Sequence, residues 1–274
     1  MNADKVFARA EAWKKKSHCL SMNLRLRSIG EARKFLKEHS IVLWDEKAEV
    51  PNLLDAILGR IANGKERLQG KATENCKLWR LQLLSDPEFF ECRLFRKHFT
   101  AVYQDLWPYV TVFSKLNCKA AEEGGELSRD AKRVFNYLKK EGPSTNESIR
   151  KDLKYTSSSD GRQFQKAKME LQSLLILLSQ DDPSSGPILG LWENLVPKTV
   201  RSAADKIAPR EAGAKILGAA LTSSVLVNEK QLPRLFNWAN GESVKWAESL
   251  LETRTFLRVS RKNDSWIVPR KILR

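Results

Sequence analysis

Apolar residues recur along this 274-residue chain at helical spacing, and the polar breaks between them mark out its elements. The clearest stretch runs from Leu127 to Val196. Ser128 stands at an N-cap position, and Ala131, Val134, Phe135 and Leu138 form one apolar face behind it. Gly142-Pro143-Ser144 stops that helix. Ser144 or Thr145 caps a short second helix carrying Ile149 and Leu153. Tyr155 to Ser159 reads as a polar turn. Asp160 is then the expected cap of a third helix, with Phe164, Ala167, Leu171 and Leu174 on one face. The apolar run Leu174 to Leu178, the turn-rich Gln180 to Pro187 and the run Ile188 to Trp192 predict a β-hairpin. Three helices followed by a hairpin is the order of a winged helix-turn-helix.

The C-terminal segment repeats that order. Pro209 to Val225 predicts a helix with Pro209 in its first turn, and Glu229 to Trp238 a short second one. Glu242 to Thr253 predicts a third, with Val244, Ala247, Leu250 and Leu251 inward. Thr255 to Ser260 and Ser265 to Val268 flank the polar turn Arg261-Lys262-Asn263-Asp264 as a second hairpin. Near the N-terminus, Ser28-Ile29-Gly30-Glu31 is a capping box ahead of Ala32, Phe35 and Leu36. A short strand follows over Ile41 to Trp44, and Pro51 opens a helix with Leu53, Leu54, Ile57 and Ile61. The aromatic-rich stretch from Trp79 to Phe113 reads as helical, and Ala120 to Gly125 as a linker. The expected fold class is mainly α with short β-hairpins, in tandem winged helix-turn-helix modules. The expected domains are 1–126, an N-terminal winged-helix-like module with a helical linking segment, then 127–198 and 199–274, one winged helix each.

Charge adds a partner class. Lys and Arg number 48 against 33 Asp and Glu, a formal net charge of +15. The excess is spread as +5 over residues 1–127, +3 over 128–198 and +7 over 199–274, so a folded surface carries it rather than a tail. Such a surface suits a polyanion. The four cysteines, Cys19, Cys76, Cys92 and Cys118, have no paired spacing and read as ordinary thiols of a reducing compartment; Cys92 and His98 alone do not make a zinc site. No stretch has the roughly 18 consecutive apolar residues of a membrane span. Met1 to Leu20 carries charges and no apolar segment, unlike a secretory signal, and Ala8 to Lys16 reads as a basic helix. The cytoplasm is the expected compartment.

Catalytic constellations are sparse. His18, His39 and His98 have no nucleophile or metal spacing around them, and no glycine-rich phosphate loop is present. Asp45, Glu46 and Glu49 cluster after the first strand, a position suited to a carboxylate that activates water; a solvated acidic turn is the simpler reading. The tryptophans at 79, 107, 192, 238, 246 and 266 read as core or hairpin anchors.

Several of these segments resemble the AlkZ/YcaQ-like winged-helix superfamily, whose best-known members are DNA glycosylases that excise bulky alkylated bases and unhook crosslinks. Ser28-Ile29-Gly30-Glu31-Ala32-Arg33-Lys34-Phe35 and Pro51-Asn52-Leu53-Leu54-Asp55-Ala56 are similar to its first module. Leu127 to Leu175 is similar to its central winged helix, including Phe164 with Ala167 and Glu170-Leu171-Gln172. The Trp79 region resembles the linking segment, with Leu81 and Gln82 where a second Trp and a Lys are expected. The likeness extends over Leu26 to Leu273. It implies duplex DNA as partner, with no cofactor, metal or membrane, and leaves protein partners unknown. The chain departs from the family's catalytic pattern, because the Gln-x-Gln motif is missing from the first module. The one such triplet is Gln163-Phe164-Gln165, and residues two apart on a helix sit about 200° apart. No catalytic residue is assigned. The expected function is therefore DNA binding in repair or maintenance without glycosylase turnover, with two alternatives, an active glycosylase excising alkylated or crosslinked bases and a transcription regulator.

The candidate DNA-binding residues follow from the helix faces. Opposite the apolar stripe of the central third helix lie Arg162, Lys166 and Met169, flanked by Gln165; Arg and Gln suit base edges and Lys suits phosphate. The second helix adds Arg150, Lys151 and Lys154. In the C-terminal module, Lys245 lies on the third helix, Arg254 and Arg258 share one side of the first wing strand by alternation, and Arg261 and Lys262 stand at its tip.

Overall fold

In the computed structural model, which describes residues 2–182, 186–239 and 241–273, one order of elements occurs three times. A helix leads into a short strand, further helical segments follow, and a β-hairpin closes the repeat. Each time the three strands form an antiparallel sheet in which the last strand lies between the other two. The first repeat comprises α2 (Ile29–His39), β1 (Ile41–Leu43), α3 (Leu53–Leu58), α4 (Gly64–Leu68), α5 (Lys71–Leu84), β2 (Phe89–Phe95) and β3 (His98–Tyr103). Preceding it is α1 (Ala3–Ser17), and α6 (Trp107–Glu122) leads out of it. The second repeat is α7 (Arg129–Glu141), β4 (Ser144–Thr145), α8 (Asn146–Asp152), α9 (Ser158–Ser173), β5 (Leu177–Asp182) and β6 (Gly186–Leu191). Two short helices, α10 (Trp192–Leu195) and α11 (Lys198–Ala204), connect it to the third. That repeat is α12 (Pro209–Ser224), β7 (Val227–Asn228), the 3-10 segments Glu229–Arg234 and Asn237–Ala239, α13 (Ser243–Glu252), β8 (Phe256–Arg261) and β9 (Asp264–Pro269). The chain is mainly helical with small antiparallel sheets, as the periodicity indicates. Pro183, Ser184 and Ser185 of the expected hairpin loop, and Arg274, lie outside the described residues.

Capping residues act where the sequence places them, with one exception. Ser28 and Glu31 form a reciprocal capping box on α2, Ser128 caps α7 and Thr145 caps α8. The exception is α9. Ser157 is its cap, and Asp160 is the third helical residue reaching back, with Ser157 N–H donating 2.9 Å to the Asp160 carboxylate. Helix α3, expected to open at Pro51, begins at Leu53 behind the cap Asn52, and Ile61 lies exposed beyond it.

The largest departure is the stretch read as helical from Trp79 to Phe113. It holds the hairpin β2–β3, paired Phe89 to Tyr103 at one end and Phe95 to His98 at the other. Its two-residue turn, Arg96-Lys97, has φ of 48° and 63°, the left-handed backbone of a type I′ turn built without Gly or Asn. The expected linker is in part helix, since α6 continues to Glu122. The third repeat's second helix is divided, because Pro233 lies inside it and the segment winds as two 3-10 pieces. On α13, Trp246 faces inward and Val244 is exposed, the reverse of the sequence expectation for Val244. Gly213 of α12 makes this possible: a Cβ there would stand 2.1 Å from the Trp246 ring.

One core runs through all three repeats. Phe113 of α6 meets Trp238 and Trp246 at centroid distances of 4.6 and 5.3 Å, and Phe236 packs against Phe95 at 5.9 Å. The Trp238 indole N–H donates 2.9 Å to the Leu94 carbonyl of β2, and that of Trp192 donates 2.9 Å to Thr111 of α6. Helix α1 straps the third repeat to the first. Phe7 meets Trp266 edge-on at 5.5 Å, Arg9 donates 2.7 Å to the Leu273 carbonyl, and Lys14 donates 3.2 Å to the Glu49 carbonyl.

Two buried histidines sit where α1, α2 and α12 meet. His18 Nε2 lies 2.6 Å from the Ser223 carbonyl and His39 Nε2 lies 2.8 Å from the Ser17 carbonyl, with the rings edge to face at 5.6 Å. Burial, more than the neighbouring Lys14, pushes the His18 pKa down to about 3, and burial lowers His39 too. An unfolded histidine titrates at about 6.5, so below that pH the unfolded chain binds more protons than the folded one. Stability is therefore full above about pH 6.5 and lost as pH falls toward 3. Melting temperatures between pH 8 and pH 4 should fall with acidification, and His18→Gln should flatten that fall; an unchanged slope would remove His18 as the cause.

Candidate nucleic-acid interface

The second repeat presents its cations at one end. Helix α8 carries Arg150 and Lys151, both exposed, and Lys154 follows at the turn into α9 with a left-handed φ of 58°. The Arg150 guanidinium donates 3.3 Å to the Tyr155 carbonyl, which holds it across that turn. On α9, Phe164, Ala167 and Leu171 are buried while Leu174, just past the helix, is half-buried. Arg162, Gln163, Gln165, Lys166 and Met169 are exposed. Apart from the Arg150 contact, no ion pair or side-chain hydrogen bond engages Arg150, Lys151, Lys154, Arg162, Gln165 or Lys166 among the described residues.

The two halves of α9 have different surroundings. Toward its C-terminal end, Arg93 of β2 packs against it, with the guanidinium 3.9 Å from the Phe99 ring centre and Nε donating 3.2 Å to Gln172. Met169, Glu170 and Ser173, with Lys166, line a cleft toward the third repeat. The N-terminal half, bearing Arg162 and Gln165, stands clear of these contacts. That is the end of a helix that reads base edges in helix-turn-helix proteins.

The C-terminal candidates fare differently. Lys245 pairs with Glu242 at 2.7 Å. Arg258 is held between Glu229 at 2.7 Å and Glu248 at 2.6 Å. Arg261 pairs with Asp4 of α1 at 3.1 Å and lies 4.6 Å from the Phe7 ring centre. Arg254 does not alternate with Arg258 along β8. It occupies the turn between α13 and the strand with φ of 57°, because the strand begins only at Phe256. Arg254 and Lys262 are exposed, Lys262 at the hairpin tip with φ of 47°. The carboxylates on α13 and α1 are what the strand alternation could not reveal.

The acidic turn is not a solvated one. Asp45, Glu46 and Glu49 are all half-buried between β1 and α3. Arg67 donates to the Asp45 carbonyl, and Glu49 pairs with Arg96 at 2.7 Å. Glu46 lies 3.7 Å from His98, and its second oxygen is buried without a partner. Burial first, and then the neighbouring Asp45, push the Glu46 pKa up to about 7. Cys92 is buried in β2, and burial raises its thiol pKa well above the ordinary range.

Residues that the sequence did not single out include Lys97 at the β2–β3 turn and Arg234 and Phe236 beside Pro233, all lining the same cleft as Lys166. Lys97 was hidden with its hairpin. Arg234 and Phe236 lie in a segment whose two 3-10 pieces have no helical stripe to read.

Three comparisons bear on this arrangement. A family model described as AlkZ related matches residues 26–237. No curated protein matches the chain. Among solved structures, the chain is similar to the Streptomyces sahachiroi DNA glycosylase AlkZ, with a TM-score of 0.55 and 11% identity over 97% of this chain and 70% of that one. At such an identity the likeness is one of fold.

The face assignment on α9 has a direct check. Phe164→Ala should lower stability by about 3–5 kcal/mol in denaturant melts, the usual cost of emptying a fully buried phenylalanine site. Arg162→Ala combined with Lys166→Ala should leave the midpoint in place. The reverse pattern would put the helix the wrong way round.

Proposed function

The chain belongs to the AlkZ-related family, and from that premise we propose that it is a protein of DNA repair or maintenance that binds duplex DNA through winged-helix modules. The three repeats are the modules, in domains 1–126, 127–198 and 199–274. The observation that carries the reading is the free basic end of the second repeat, where Arg150, Lys151 and Lys154 flank Arg162 and Gln165. Arg162 and Gln165 enter the major groove and contact base edges. The lysines and Arg150 hold the backbone on either side. In the third repeat, Arg254 and Lys262 add backbone contacts, while Lys245, Arg258 and Arg261 are spent on their carboxylate partners.

Binding is the principal activity in this reading, and base release is not. Gln163 and Gln165 are both exposed and diverge around α9, so they do not converge on one water. A second reading, base excision, is favoured by one observation, the partnerless buried oxygen of Glu46 with its pKa near 7. A carboxylate so placed is suited to activating water.

Two measurements test these readings. Duplex affinity should fall steeply with salt, along a log–log slope of about −4 to −5 if about five phosphates are neutralised. Arg162→Ala with Lys166→Ala should weaken it; a flat salt response would sink the DNA reading. On alkylated and crosslinked duplexes, bound protein should release little or no base. Should turnover occur, Glu46→Gln, Asp45→Asn and Glu49→Gln are the informative substitutions. With Glu46 as base the rate should rise with pH through about 7, because the carboxylate must be ionised to accept the proton.

A further inference from the structure

Where the three repeats meet, a cleft of about 540 Å³ opens beside the C-terminal half of α9. Its size lies within the range of about 300–1,000 Å³ that small-ligand sites occupy. Each repeat contributes one cation to it: Lys97 from the first, Lys166 from the second and Arg234 from the third. All three are exposed, and among the described residues none has a carboxylate partner. Lys97 reaches this position from the turn residue with φ of 63°, a backbone that lysine seldom adopts. Three like charges facing one concavity repel one another unless an anion joins them.

The rest of the lining is unlike a plain anion site. Met169, Leu174 and Pro233 make it apolar, and Phe236, which also lines it, is itself buried. Of its two carboxylates, Glu170 is engaged, accepting 2.8 Å from the Ser128 backbone N–H and 2.6 Å from its hydroxyl. Glu126 remains, an acceptor suited to an exocyclic amine. Cations on the rim, an apolar bed and one free acceptor match an anionic group attached to a flat heterocycle. Inorganic phosphate would leave the bed unused, and a fatty acid would leave Glu126 facing a carboxylate or an alkyl chain.

We propose that this cleft is a nucleotide-binding site, with the base against Met169 and Pro233 and its flanking phosphates held by Lys97, Lys166 and Arg234. The proposal rests on the DNA-binding reading only for the source of the nucleotide, which is a strand drawn out of the stack beside α9. It assigns Lys166 a role inside the molecule as well as at the edge of the groove-facing surface.

Methionine makes the test clean. The chain has three, Met1, Met22 and Met169, and Met169 is the one that lines the cleft. Protein labelled with 13C at the methionine methyls is titrated with single-stranded trideoxyadenylate, with a duplex carrying one unpaired adenine, and with inorganic phosphate. Met169→Leu identifies the signal. Trideoxyadenylate should move the Met169 methyl upfield and saturably, through the ring current of the base, and leave Met22 in place. Inorganic phosphate alone should not produce that shift. Lys97→Glu with Arg234→Glu should weaken trideoxyadenylate by about tenfold or more, from the loss of two charge-assisted contacts. Lys97→Gln with Arg234→Gln serves if the reversal disturbs folding. A Met169 signal unmoved at saturating trideoxyadenylate, moved equally by phosphate, or indifferent to both double variants overturns the proposal. The duplex arm separates the two ideas. A trideoxyadenylate shift without duplex binding supports the cleft and removes the duplex reading; duplex binding without a trideoxyadenylate shift does the opposite.

Discussion

Trp238 is the joint on which the arrangement of the three sheets depends. Its ring belongs to the third repeat, its N–H is bonded to the Leu94 carbonyl of the first, and its face packs on Phe113 of α6. An indole buried in an apolar cluster must find an acceptor, or the desolvated N–H costs more than the ring gains. The edge of β2 supplies that acceptor, so burial of the ring and docking of the repeats become one event. The same docking sets Phe236 against Phe95 and brings the Arg96 N–H to the Leu235 carbonyl at 2.9 Å. The cleft beside α9 is a by-product of this geometry, since Lys97 and Phe236 flank it only while the β2–β3 hairpin lies against the third repeat.

The repeats divide the charge unevenly. In the second, the cations of α8 and of the exposed face of α9 form no ion pair among the described residues, so their charge stays uncompensated at the surface. In the third, where the sequence has its largest excess, Glu229, Glu242, Glu248 and Asp4 take up Arg258, Lys245 and Arg261. Exposed pairs of this kind contribute little to stability, roughly 0–1 kcal/mol each. Their larger effect is to leave fewer unpaired cations on that surface, which is why net charge per segment is a poor guide to where free positive charge lies.

Legibility in the sequence followed amphipathicity and turn chemistry. Helix α7 was readable to the residue, because Ala131, Val134, Phe135 and Leu138 face one core and the residues between them, the half-buried Tyr137 apart, face water. The β2–β3 hairpin was not. Its turn uses Arg96-Lys97 where Asn-Gly would have announced it, and β2 touches neighbours on both faces, so no clean alternation survives. The hairpin of the third repeat was readable because Lys262-Asn263 offers a conventional turn pair for the same backbone. Helix α13 misled for a different reason: Gly213 on another helix opens the space into which Trp246 turns, and no local pattern carries that information. The candidate cations of α8 and α9 are exposed as the helix faces indicate, while in the third repeat Arg258 and Arg261 meet carboxylates distant in sequence, Glu229 and Asp4.

Helix α1 also acts mechanically. By fastening Phe7 to Trp266, Arg9 to Leu273 and Lys14 to Glu49, it turns three consecutive repeats into a closed frame. An open string of modules can wind along a double helix by bending at its linkers. A closed frame resists such winding, because rotating one module requires α1 to let go of another. On the proposed DNA-binding reading, the work of fitting then passes to the duplex. Sites whose base steps kink or unstack at low cost would be accommodated before stiff ones, and local weakness of the duplex would guide the frame as much as any contact with a base edge.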